Sequence, residues 1–337
     1  MTFHQKRIAL SATTKVLIIR FSSIGDVVLT TPVIRCLKKQ LYGENEVHYL
    51  VKKEFATVLE NNPYIDKLHV LDDNRNELLE ELESEGFHYI VDLHKNIRSF
   101  YFRKRLKSLA FDFKKLNVKK WILVNFKIDL LPDIHIVDRY FEAVKALGIE
   151  NDGEGLDYFI PESDLIDVSK KFHQLKNEYI AFPIGGAHEG KKLSQHKLIE
   201  LCTMIDHPII LLGGKQDQAA AVEIERSCED TINACGMLSI NESASVIEQS
   251  RLVISHDSGM MHIASAFKKK IISIWGATVP KFGMYPYLPH PDSVIIEADH
   301  LKFRPTSKLG NKNSKKERRT TEEIELNRIT EAIKRLW

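Results

Sequence analysis

The sequence predicts an α/β protein built from two Rossmann-like domains that face each other across a cleft. Three observations predict it. Apolar runs rich in β-branched residues, such as KVLIIRF at Lys15–Phe21 and EYIAFPIGG at Glu178–Gly186, read as strands buried on both faces of a parallel sheet. Helically spaced stretches separate these runs, the pattern of βα units joined by right-handed crossovers. The alternation then occurs twice, on either side of the loop-like segment NDGEGLDYFIPESD.

Taken in order, KVLIIRF is the first strand and Ser22-Ser23-Ile24-Gly25-Asp26 its turn. VVLTTPVIRCLKKQL follows as a helix that Pro32 kinks or starts. Strands at Glu46–Val51, Lys67–Asp72 and His88–His94 alternate with a short helix near Phe55–Glu60 and a charged helix at Asn76–Glu85. KWILV reads as a strand and Ile134–Ile149 as a helix; the linker after it carries one short strand. The second half has strands at Glu178–Gly186, His207–Gly214, TINACG, Arg251–Gly259 and Lys269–Gly276, each followed by a helix or a loop. The tail 311–319 reads as loop, and Glu322–Leu336 as a final helix. The expected division is a first Rossmann-like domain over 1–155, a second over 156–320, and a C-terminal helix over 321–337 that packs back on the first domain.

Composition narrows the function. A formal charge of +2, from 48 basic and 46 acidic residues, gives no global field for nucleic acid, so none is expected as a partner. The basic runs FYFRKRLK and KNSKKERR suit phosphate or an anionic membrane face, or simply a solvated surface. Cys36, Cys202, Cys228 and Cys235 show neither CxxC nor metal-ligand spacing, so neither a metal nor a cofactor is expected. The apolar run at the N-terminus is broken by Arg20 and is too short for a signal peptide. No stretch reaches the roughly 20 apolar residues of a membrane span. The expected location is the cytoplasm, with peripheral contact at the cytoplasmic face of the inner membrane left open.

In an open parallel sheet, ligands gather beyond the carboxyl ends of the strands, so the loops after each strand are the candidates. SSIGD is not GxGxxG. It nevertheless groups Ser23, Gly25 and Asp26 at a helix start, where the carboxylate serves either as a cap or as an acceptor of a ligand hydroxyl proton. FPIGGAHEGKKLS places Gly186 beside Lys191 and Lys192, a combination that suits a diphosphate. GGKQD contributes Gly213 and Asp217. SHDSGMMHIA presents Asp257, Ser258 and Gly259 at a helix N-terminus with His262 on that helix; backbone N–H groups and a hydroxyl there suit phosphate. The absence of GxSxG argues against a serine hydrolase elbow. WGATVPKFGMYPY carries Gly276 and Thr278 in a loop that could cover a nucleotide or pack the domain junction.

RFSSIGDVVLTTPVIRCLK, VDLHKNIRS, HIVDRYFEAVKALGI, LLGGKQD, VISHDSGMMHIASA and WGATVP occur in the order found in the ADP-heptose:lipopolysaccharide heptosyltransferases, glycosyltransferase family 9. The chain resembles that family over nearly its whole length. The resemblance implies a GT-B fold, with acceptor bound by the N-terminal domain and nucleotide sugar by the C-terminal one, and inverting transfer without an obligatory metal. It also implies that Asp26 is the catalytic base and that Lys191, with Lys192 as the neighbouring alternative, neutralises the donor phosphates. Asp257, Ser258, Gly259 and His262 then match the donor motif, Gly276 and Thr278 a phosphate-side loop, and Lys95 and Arg98 the acceptor side. The implied partners are an ADP-heptose-like donor and an anionic glycolipid acceptor. Two departures stand out: Leu193-Ser194 follows the lysines where the family has Trp-Pro, and Phe303 and Thr306 replace cysteines of a C-terminal cluster. A nucleotide-sugar epimerase of similar fold, or a degenerate nucleotide- or glycan-binding scaffold, are the alternative readings.

Overall fold

The computed structural model describes residues 13–175 and 178–337. The first twelve residues, on which part of the leader-peptide expectation bears, lie outside the described residues.

Eleven strands form two parallel sheets. The first comprises β1 (Thr14–Ile19), β2 (Asn45–Lys52), β3 (Lys67–Leu71), β4 (Tyr89–Asp92) and β5 (Leu109–Asp112), in the order β3-β2-β1-β4-β5. The second comprises β6 (Ile180–Pro183), β7 (Ile209–Leu212), β8 (Thr231–Asn233), β9 (Leu252–His256), β10 (Ile271–Trp275) and β11 (Val294–Glu297), in the order β11-β10-β9-β6-β7-β8. All the pairings are parallel, as the continuous apolar runs require, because helices cover both faces. Val16, Leu17, Ile18 and Ile19 are completely buried, with Val16 and Ile18 in one core and Leu17 and Ile19 in another. In each sheet the order reverses beside the first strand of its half, β1 and β6. That reversal opens a crevice at the carboxyl ends of the strands. This is the expected architecture of two Rossmann-like domains, the GT-B fold.

Pro32 acts as a boundary: a short helix Ile24–Val28 ends before it, and Thr31–Gln40 begins with the proline in its first turn. Several expectations are corrected. KWILV belongs to the helix Asn117–Phe126 rather than a strand; of its apolar side chains only Leu123 is buried, while Trp121 is exposed. The helix expected over Ile134–Ile149 is α-helical only at Ile136–Phe141, followed by turns and a 3-10 segment at Lys145–Leu147. The linker holds no strand. The tail is not all loop: Ser314 caps a helix at Lys315–Glu322 by accepting from the Glu317 N–H.

The final helix, Leu326–Leu336, packs on the second sheet rather than returning to the first domain. Leu326, Ile329, Ile333 and Leu336 join the core that includes Ile272, Ile274 and Ile296. The linker is instead fixed to the first domain by Arg35, whose buried guanidinium bonds Asp152 at 2.7 and 2.8 Å, the Gly155 carbonyl at 2.9 Å, and Asp157.

Candidate functional site

The carboxyl ends of both sheets open onto one cavity of about 670 Å³, a size suited to a nucleotide-scale ligand. Its two walls come from different domains. They touch where the helix beginning at Ile24 meets the helix Gly259–Ala266, and a Cβ on Gly25 would stand 3.2 Å from the Gly259 Cα. Both glycines are therefore needed for the close approach of two helix N-termini.

Asp26 sits on the first wall. Burial disfavours its charge, but the Arg20 guanidinium, 2.6 Å from Oδ1, and donation from the Ser23 backbone and hydroxyl hold its pKa below the usual carboxylate value. Arg20 follows β1 and is itself fixed by donating to the Ser22 and Leu93 carbonyls and to the Tyr140 hydroxyl. Arg20 entered the sequence reading only as an interruption of an apolar run; a lone arginine at the end of a buried strand was the available signal.

The second wall carries the phosphate-suited loops. The Lys191 ammonium lies 2.7 Å from Asp257 Oδ2, and the Thr278 hydroxyl donates to the same oxygen at 2.8 Å. Lys192 turns aside to Glu189 and Asp217, at 2.6 and 3.5 Å, and does not line the cavity. The geometry thus separates the two adjacent lysines. Ser258 starts the helix Gly259–Ala266 without capping it, which leaves the first N–H groups available. His262 is buried; desolvation lowers its pKa to about 4, so it is neutral near pH 7.

Ser23, Gly25, Gly186, Gly213, Asp217, Asp257, Ser258, Gly259, His262 and Thr278 all line the cavity with Asp26 and Lys191. Besides Lys192, three expected site residues do not. Gly276 packs away from it: an added Cβ would meet Thr321 Cγ2 at 2.4 Å and the Gly190 carbonyl at 2.7 Å, so this glycine seats the loop after β10 against the helix Lys315–Glu322. Lys95 bonds Asp112 and the Phe113 carbonyl, both at 2.9 Å, and Arg98 lies over the Phe21 ring. The cavity also takes in Lys115, Asn117, Lys120 and Lys308, which sequence reading passed over because their segments show no motif.

Away from the cavity, His48 and His69 bond each other at 2.9 Å beside Glu85. Their outer nitrogens meet Glu46 and Glu81, and Glu85 is held by Lys15 and Lys67, so these donors satisfy one another.

The chain as a whole is similar to known proteins. The family model of glycosyltransferase family 9 (heptosyltransferase) matches residues 75–315. Lipopolysaccharide heptosyltransferase 1 of Campylobacter coli is 26% identical over 294 residues, covering 78% of this chain and 84% of the relative. The crystal structure of a family 9 glycosyl transferase from Veillonella parvula superposes with a TM-score of 0.75 at 21% identity, covering 96% of this chain and 97% of that one. The E. coli ADP-heptose lps heptosyltransferase II does so with 0.71 at 18%, covering 96% and 98%. The chain belongs to glycosyltransferase family 9, the heptosyltransferase family.

Proposed function

We propose that the protein transfers a heptose or related sugar, with inversion, from an ADP-sugar to an anionic lipopolysaccharide-core or lipid A-type acceptor. The observation that carries this reading is the opposition of Asp26 on one wall to the Lys191–Asp257–Thr278 group on the other, within a single cavity. The acceptor hydroxyl attacks the anomeric carbon as the bond to the diphosphate oxygen breaks, and its proton passes to the Asp26 carboxylate. Charge growing on the departing diphosphate meets the Lys191 ammonium and the N–H groups at the start of the helix Gly259–Ala266, a role that would otherwise call for a divalent ion. Contact between the two helix N-termini closes the site against water.

The same reading places the enzyme on a membrane surface. Trp121 and Phe126 pack on each other at 5.4 Å yet remain 57% and 61% exposed, and Lys119 and Lys127 flank them on or beside the same helix. Exposed aromatics with basic neighbours suit the headgroup region of an anionic bilayer holding the acceptor. Among the described residues no helix is long and apolar enough to cross a membrane.

The test is a binding and turnover screen against ADP-, GDP-, UDP- and dTDP-sugars, with and without a chelator. Chelator-resistant binding of an ADP-sugar supports the proposal. Asp26→Ala is expected to keep that binding while turnover collapses. Weak donor binding with near-normal turnover would remove Asp26 from the role of base, and silence across the panel from folded protein would favour a scaffold.

A further inference from the structure

The cavity holds a second group of cations that the donor-side chemistry does not use. Lys115 and Lys120 come from the segment after β5, on the wall of Asp26. Lys308 comes from the opposite domain, in the loop FRPTSKLG. Lys308 reaches across and donates to Asn117 Oδ1 at 2.7 Å, so the three lysines are brought together only where the two domains meet.

Lys120 is the unusual member. It is only 6% exposed, and its ammonium rests 5.3 Å from the centroid of the Phe282 ring without a carboxylate beside it. The carboxylates lining the cavity, Asp26, Asp217 and Asp257, are each engaged by another cation, Arg20, Lys192 and Lys191 respectively. Burial and the neighbouring Arg139 and Lys308 press the Lys120 pKa down to about 7, and burial with Arg20 and Lys308 brings Lys115 to about 8. Between Lys115 and Asn117 the chain passes through Leu116 with φ at 56°, a left-handed conformation that costs a branched residue energy and turns both neighbours toward the cavity. A buried cation such as Lys120 without counter-charge is costly, and the arrangement becomes favourable when an anion is present.

We infer that Lys115, Lys120 and Lys308, with Asn117, form a subsite for an oxyanion, a phosphate ester or carboxylate carried by the acceptor next to the hydroxyl that Asp26 serves. This rests on the glycosyl-transfer reading for the identity of the anion's bearer, but the site itself stands on the lysines. Because Lys308 belongs to the donor domain, an anion held there also draws the two walls together. Acceptor recognition and closure of the cleft become one event.

Inorganic phosphate, and acetate in a parallel run, serve as probes in calorimetric titrations of the full chain and of Lys120→Met, Lys308→Gln and Lys191→Gln. Either anion should bind the unaltered protein, and Lys120→Met and Lys308→Gln should each weaken it by roughly tenfold, the worth of one charge-assisted hydrogen bond. Lys191→Gln removes the donor loop's own share of that binding, and the roughly tenfold losses from Lys120→Met and Lys308→Gln should persist in its background. Lys308 is exposed in a loop, so its variant separates loss of the site from loss of the fold, which thermal melts check for Lys120→Met. The inference is overturned if neither anion binds, if both lysine variants bind as the unaltered protein does, or if only Lys191→Gln loses the anion. The last result would assign the anion to the donor loop. No nucleotide sugar enters these titrations, so their failure is distinct from failure of the donor screen.

Discussion

Gly25 and Gly259 meet backbone to backbone across the cleft: a methyl on Gly259 would stand 3.1 Å from the Gly25 nitrogen and 2.8 Å from Ile24 Cγ2. Ile24 is β-branched and has little rotamer freedom with which to yield. Gly259→Ala should therefore wedge the walls apart without unfolding either domain. The expected outcome is a turnover loss of roughly a hundredfold, as for a reacting geometry displaced by about 1 Å. Steady-state rates and a thermal melt check it; an unchanged rate would mean that the contact does not set the reactive geometry.

Arg20 acts through Asp26. Replacing it by Gln removes the guanidinium 2.6 Å from the carboxylate, so the Asp26 pKa should rise. The acid limb of the pH–rate profile should move to higher pH in Arg20→Gln. A purely structural loss would lower the rate equally at every pH.

Five histidines, four of them buried and His94 half-buried, set an acid limit on stability. Desolvation lowers His94, His135 and His256 to about 3 and His69 and His262 to about 4. Their folded pKa values lie below the unfolded value of about 6.5, so the unfolded chain binds more protons as pH falls through that window. Their contribution is complete above pH ~6.5 and is lost progressively toward pH ~3. Urea midpoints measured from pH 7.5 to 4.5 should begin to fall near pH 6.5, above the carboxylate range. A flat profile down to pH 5 would contradict this.

The exposed aromatic pair offers a separate test of location. Trp121→Ser combined with Phe126→Ser should reduce co-sedimentation with anionic phospholipid vesicles by roughly tenfold or more, given the apolar area removed. Donor binding in solution should be unaffected. Equal sedimentation of variant and unaltered chain would exclude this helix as the contact.

The parts of the fold legible in the sequence were those fixed by local pattern. KVLIIRF and RLVISHD alternate with helices in a way that only a buried parallel sheet accommodates. KWILV was misread because an apolar run of strand length has the same composition as a short helix with one face in solvent, and only its tertiary neighbours distinguish them. β5 and β11 passed unnoticed because edge strands are only partly buried and carry a weaker apolar signal. In the site, glycines and carboxylates at strand ends were visible because they recur at fixed offsets from a strand. Lys120 and Lys308 were not, since their roles depend on which surfaces the two domains present to each other, and Arg20 was not, since Leu93 and Tyr140 reach it only through the fold of the first domain. Gly276 was placed on the ligand because a glycine after a strand reads as close approach; the close neighbour proved to be Thr321 and the Gly190 carbonyl.

Because the final helix remains with the second sheet, the polypeptide passes from one sheet to the other a single time, between Asp112 and Ile180. Everything before that passage builds the Asp26 wall of the first sheet, and everything after it builds the phosphate-suited wall. A chimera joining the first half of this chain to the second half of a relative thus needs only one splice. The surfaces to be matched include the glycine contact, the bonds of Thr57 with Asn241 and of Asp138 with Tyr287, and the Lys308–Asn117 bond. Evolution can exchange one wall while keeping the other, provided that residues spanning both, such as Lys308 and Asn117, change together.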